Sequence, residues 1–108
     1  MGRDSLGEFE HQVLLAILRL GKETYSVPIV QELEDRAGRE VTQAAVFIVL
    51  RRLEEKGLLR SRMEEGDAES VRVRRYFRLT ALGMRRLRES RRALLGLWDG
   101  ITAELDGV

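Results

Sequence analysis

The apolar residues of this chain repeat with a helical period as far as Gly57 and alternate with a period of two directly after it. That switch restricts the fold more than any other feature of the sequence. Before it, Phe9, Val13, Ile17 and Leu20 recur at helical spacing, Leu14, Leu15 and Leu18 fill the other faces, and Gly21 ends the pattern. A helix apolar on nearly all sides needs cover on two of them, from its own core and from a later helix or a second chain. In "YSVPIVQELEDRAG", Ser26 reads as the N-cap, Pro28 falls in the first turn, Tyr25 and Val30 stand at hydrophobic-staple spacing, and Gly38 is the stop. The segment predicts a helix of about three turns that turns Val30, Leu33 and Ala37 inward.

A third helix follows in "TQAAVFIVLRRLEEKG", where Thr42 can cap, Val46, Leu50 and Leu53 form one stripe, and Gly57 supplies a left-handed end. On its wheel Ala44, Ile48 and Arg51 point away from the core, with Phe47 and Arg52 on the flanks. Water alone would select a polar face there, so this one is built to meet something else.

After Gly57, "LLRSRM" sets Leu59, Ser61 and Met63 against Arg60 and Arg62. The segment "VRVRRYFRLT" sets Val71, Val73, Phe77 and Leu79 against Arg72, Arg74, Tyr76 and Arg78. With the polar turn "EEGDAES" between them, the two runs predict an antiparallel hairpin bearing arginines on one face. The chain's formal charge of +1 conceals this block. Residues 60–92 hold 11 Lys and Arg against 5 Asp and Glu, whereas residues 1–59 hold 8 against 10 and residues 93–108 hold 0 against 3. A basic block in a near-neutral chain suggests a polyanion-facing segment.

Thr80 is placed to cap a last helix in which Met84, Leu87, Leu94, Trp98, Ile101 and Leu105 keep a heptad step, once Arg91 is counted in the seam. A continuous run of about 25 residues, roughly 37 Å long, exceeds what so small a domain can cover. The simplest cover is the same helix of a second copy. The chain therefore divides into residues 1–80, a DNA-binding unit, and residues 81–108, a dimerisation helix. Phe9, Val13, Leu87, Leu94, Trp98, Ile101 and Leu105 are the residues expected at the contact between copies.

Several functions are set aside by composition. There is no cysteine, His11 is the only histidine, and neither a glycine-rich phosphate loop nor a separated carboxylate pair is present. No catalytic residue, metal site or cofactor is expected, and the chain does not read as an enzyme. The N-terminus lacks the order of a signal peptide, and "VLLAIL" falls far short of the ~20 apolar residues that span a bilayer, so a cytoplasmic protein without a membrane partner is expected.

Three helices followed by a hairpin form the order of a winged helix-turn-helix, mainly α with a small β-hairpin (α+β), here with a long C-terminal helix. Such a domain places its third helix in the major groove of double-stranded DNA and its hairpin on flanking phosphates. The run "YSVPIVQELEDRAGREVTQAAVFIVLRRLEEKGLLRSR", followed by "RRYFRLTALGMRRL", resembles the PadR family of bacterial transcriptional regulators over about residues 6 to 92. The resemblance implies a winged-helix homodimer joined through its terminal helices. It also implies a repressor of a pseudo-palindromic operator, in some members released by a small aromatic effector, with a single C-terminal helix as in the family's compact branch. Matched residue by residue, Thr42, Gln43 and Ala44 open the recognition helix, and Phe47 stands where the family usually has a tyrosine. Arg51 and Arg52 fall in its charged stretch, and Arg74, Arg75 and Tyr76, with Arg72 just before them, in the basic end of the wing.

Ala44 and Ile48 suit close approach to a groove, including thymine methyls, with Gln43 and Arg51 as hydrogen-bonding readers. Phe47 also reads as a packing residue, and the arginines at 85, 86, 88 and 92 as a solvated helix face. Trp98 reads as a dimer anchor, or by the family resemblance as a ring that stacks a flat effector. The competing class is a winged-helix protein-interaction module, for which Ala44, Phe47 and Ile48 would also serve. The basic block argues against it.

Overall fold

The computed structural model describes residues 6–65 and 73–106, so Val71 and Arg72 lie outside the described residues. Along the chain run α1 (Glu8–Arg19), β1 (Glu23–Thr24), α2 (Ser26–Ala37), α3 (Gln43–Glu55), β2 (Leu59–Glu65), β3 (Val73–Leu79), α4 (Ala81–Trp98) and the short α5 (Thr102–Leu105). The expected mainly helical fold with a β-hairpin is the one found, with one strand more than the sequence suggested. The sheet has three antiparallel strands in the order β1-β3-β2, with Glu23 opposite Arg78 and Arg60 opposite the same Arg78 from the other side.

The three N-terminal helices and the inner face of the sheet share one core. Val13, Leu14 and Ile17 of α1, Ile29 and Leu33 of α2, and Val46, Leu50 and Leu53 of α3 are buried with Leu58, Leu59, Phe77 and Leu79. α1 and α3 reach this core by the stripes their spacing predicts and α2 by a shifted one, and the apolar side chains drive the packing at ~25 cal/mol per Å² removed from water. The ends of α3 and α4 are capped as expected. Thr42 Oγ1 accepts from the Ala45 amide at 3.0 Å, and Thr80 Oγ1 from the Gly83 amide at 3.0 Å. The Thr80 hydroxyl also donates to the Gly57 carbonyl at 2.7 Å, so one oxygen joins the end of α3 to the start of α4.

Gly83 is required by a close approach. A β-carbon there would lie 2.3 Å from the Leu58 carbonyl oxygen, so α4 can rest against the α3–β2 turn only because that position lacks a side chain.

Four expectations need correction. The second helix begins at Ser26, which is therefore already helical and not the cap; Tyr25 takes that position with no side-chain cap bond, and the Ser26 hydroxyl accepts from Gln43. Ala37 is exposed, since the last turn of α2 runs past the core, and Ile29 takes the buried position one turn before Leu33. The last helix is not continuous: Gly100 adopts φ +81° and separates α4 from α5. Finally, Val13 and Leu87, expected at a contact between copies, are 0% and 5% exposed within this chain's own core. Their side chains are consumed there and are not offered to a second copy.

Candidate nucleic-acid interface

The outward face of α3 is the face its wheel predicts. Gln43, Ala44, Phe47, Ile48, Arg51 and Arg52 are exposed, Ile48 to 59%. Thr42, Gln43 and Ala44 lie at the helix start beside α2, where the Gln43 amide nitrogen donates to Ser26 Oγ at 3.0 Å. That bond fixes the side chain at the junction of the two helices, and its carbonyl oxygen has no hydrogen-bond partner among the described residues. Phe47 is 37% exposed, and its ring meets Phe77 edge-on with centroids 5.9 Å apart. The position thus combines the two readings made of it, a ring anchored on the core with one edge in solvent, and Phe47 offers no hydroxyl to a ligand.

The sheet lies beside this helix, and a carboxylate links the two. Glu54 of α3 accepts from the Ser61 amide at 3.2 Å and from its hydroxyl, and sits 3.7 Å from Arg51 Nε. Ser61 Oγ in turn accepts from Arg75 Nη1 at 2.9 Å. Arg51 on the recognition helix and Arg75 on the wing are thereby tied to one small polar cluster, a link between distant elements that periodicity could not reveal.

On the outer face of the sheet Arg60 and Arg78 stand opposite each other in register. Like charges across a strand pair repel, and an anion between them would relieve that. Arg74 lies over the Tyr25 ring at 4.5 Å, and Tyr25 meets Tyr76 with centroids 5.4 Å apart. Arg62 is engaged by Glu23 and Glu64. The cationic side chains are thus not equivalent: those at 52, 60 and 78 have no ion-pair partner among the described residues, whereas those at 51 and 62 do.

A second exposed feature lies away from this face. Beyond Leu87 the side chains of α4 leave the core, and Leu94, Leu95, Leu97, Trp98, Ile101 and Leu105 are all exposed, Leu97 to 76% and Trp98 to 41%. An open groove of about 830 Å³ runs between α1 and α4, lined by His11, Leu15, Ser90 and Leu94 among others. His11 Nδ1 and Ser90 Oγ are 2.7 Å apart across it. Phe9 is half-buried under the Arg39 guanidinium, 4.5 Å from its ring. No helix among the described residues is long and apolar enough to cross a membrane.

Three helices, a three-stranded sheet and an exposed third-helix face beside an arginine-bearing hairpin define a winged-helix DNA-binding fold. Comparison with known proteins agrees. The model of the transcriptional regulator PadR-like family matches residues 14–89. A crystal structure of a PadR family transcriptional regulator from Eggerthella lenta DSM 2243 is 31% identical, covering 89% of this chain and 82% of that one with a TM-score of 0.69. Two others share the fold at lower identity. A PadR family transcription regulator from Clostridium difficile R20291 is 18% identical over 92% of this chain and 99% of its own, with a TM-score of 0.76. F93 from STIV, a winged-helix DNA-binding protein, is 16% identical over 83% and 90%, with a TM-score of 0.66. No curated protein is similar enough to match. The chain belongs to the PadR-like family of transcriptional regulators, and it is a regulator rather than an enzyme.

Proposed function

We propose that this regulator is a cytoplasmic homodimeric repressor that binds a pseudo-palindromic operator. In this reading the outward face of α3, with Gln43, Ala44, Phe47, Ile48, Arg51 and Arg52, enters the major groove, and the wing residues Arg72, Arg74, Arg75 and Tyr76 face the flanking backbone. The observation that carries it is the exposed apolar and cationic face of α3 lying beside the arginine-bearing sheet. Few of its side chains can hydrogen-bond bases, so DNA shape and half-site spacing supply much of the selectivity. The exposed apolar run of α4 from Leu94 supports pairing of two copies through their C-terminal helices.

The test is fluorescence anisotropy of the purified protein on its own upstream DNA and on an unrelated duplex across a salt series. Preference for the upstream fragment is expected, with log affinity falling by about 0.9 per phosphate contact for each tenfold rise in salt. Changing the spacer between half-sites is expected to weaken binding. Salt-independent binding, or none, would instead favour a protein-interaction module using Ala44, Phe47 and Ile48.

Release by a small aromatic effector at Trp98 forms a second part of the proposal, supported by a partly exposed ring on an apolar helix face. As the sole tryptophan, Trp98 is its own reporter. Flat aromatic compounds are expected to quench its fluorescence and lower DNA affinity together, and quenching without loss of affinity would count against release.

A further inference from the structure

The β2–β3 hairpin pairs along its whole described length, but its backbone is only lightly tied to β1. β1 has only two residues, pairing Glu23 with Arg78 and Thr24 with Phe77, and a hairpin with so short a third strand gains little rigidity from main-chain bonds. Its pitch nevertheless decides whether the arginines of the sheet and the face of α3 can touch one duplex together.

On the outer face of the sheet one side chain crosses all three strands. Arg62 leaves β2, lays its guanidinium over the Tyr76 ring of β3 at 4.7 Å, and ends on both carboxylate oxygens of Glu23 on β1. Its Nε donates to Oε2 at 3.3 Å and its Nη2 to Oε1 at 3.0 Å. Glu64 takes a further donor through Nη1. Beyond Tyr76 the stack continues to Tyr25, the residue that caps α2, and to Arg74 over Tyr25. Planar fork and ring face are thus both occupied, a combination that only arginine can make. The Arg62 hydrogen bond is also the first cause holding the Glu23 carboxyl below the usual carboxylate range.

We infer that Arg62 is a positioning residue and not a phosphate contact: clamped by Glu23 and stacked on Tyr76, it sets the angle of the wing against α2, and hence against the recognition helix. Its effect on DNA affinity rests on the DNA-binding reading above, whereas its effect on the hairpin does not. Phosphate contact on this face falls instead to Arg74, joined by Arg60 and Arg78.

Arg62→Met, Arg62→Lys, Glu23→Gln and the double variant Arg62→Met/Glu23→Gln test this assignment on the same two duplexes. Each single change is expected to weaken binding by about tenfold, the scale of one bidentate pair and one cation–π contact, with the salt slope unchanged. Lysine is expected to fail like methionine, and the double variant to be no worse than either single one. A slope shallower by about 0.9 in Arg62→Met with full rescue by lysine would overturn the assignment. So would tighter binding by Glu23→Gln, the sign expected if Glu23 merely competes with phosphate. Hydrogen exchange on the DNA-free protein separates the two readings. Faster exchange at the β2 and β3 amides in both Arg62→Met and Glu23→Gln supports the clamp even if the wild type binds no duplex, and unchanged exchange overturns it.

Discussion

At position 83 the backbone itself leaves no room for a side chain. A β-carbon there would press on the Leu58 carbonyl oxygen at 2.3 Å, an atom of the main chain that cannot swing aside. Gly83→Ala is therefore expected to destabilise the fold by about 2 kcal/mol or more, read as a lower denaturation midpoint in urea. His11 acts through its protonation state. It is half-buried between α1 and α4, and burial holds its pKa below the ordinary value of 6.5. The unfolded chain therefore binds a proton more readily than the folded one, so stability is full above 6.5 and falls as pH drops below it. Glu8, Arg86 and Glu89 line the same groove, with Arg86 and Glu89 paired to each other. His11→Gln keeps an acceptor for Ser90 and removes the titration. Its melting temperature is expected to fall less than that of wild type between about pH 7.5 and about pH 5.5. An equal fall in both proteins would assign the loss to carboxylates.

Among the elements, those with a period of their own were readable. Val46, Leu50 and Leu53 announced α3, Thr42 and Thr80 their caps, and the alternation in residues 73–79 the third strand. β1 was not readable, because two residues cannot display an alternation and its partner Arg78 lies far along the chain. The exposed face of α3 could be drawn on a wheel, but not the state of its cations. Pairing of Arg51 with Glu54 follows helical spacing, whereas pairing of Arg62 with Glu23 depends on a strand that the sequence hides. The end of α4 is illegible in the sequence for a different reason: glycine within a heptad run is compatible with either a helix or a break. Here Gly100 takes a left-handed conformation, with nothing within 4 Å of where a β-carbon would stand. Alanine disfavours that conformation by about 1 kcal/mol or more and favours helix by a similar amount. Gly100→Ala is expected to fuse α4 and α5, raising the helical circular-dichroism signal and slowing exchange at amides 99–105. Neither change would appear if other contacts impose the break.

At the scale of the molecule, two exposed surfaces stand apart. One is the mixed apolar and cationic face of α3 with the sheet, and the other is the apolar run Leu94, Leu95, Leu97 and Trp98 on the far half of α4, continued by Ile101 and Leu105. If that half is the contact between copies, Leu94→Glu, which places a charge in it, is expected to shift sedimentation equilibrium from dimer toward monomer while leaving the core intact. A wild-type protein that sediments as a monomer would remove the dimer from the reading. The junction between these two regions is closely packed. The Thr80 hydroxyl touches both the Gly57 carbonyl just past α3 and the first turn of α4, and Gly83 lets α4 lie directly on Leu58. Only Thr80 separates β3 from α4. In a pair of chains joined at α4, the arm works as a ruler: the gap between the two recognition helices is set by its length and heading, and any twist of the arm is delivered to them undamped.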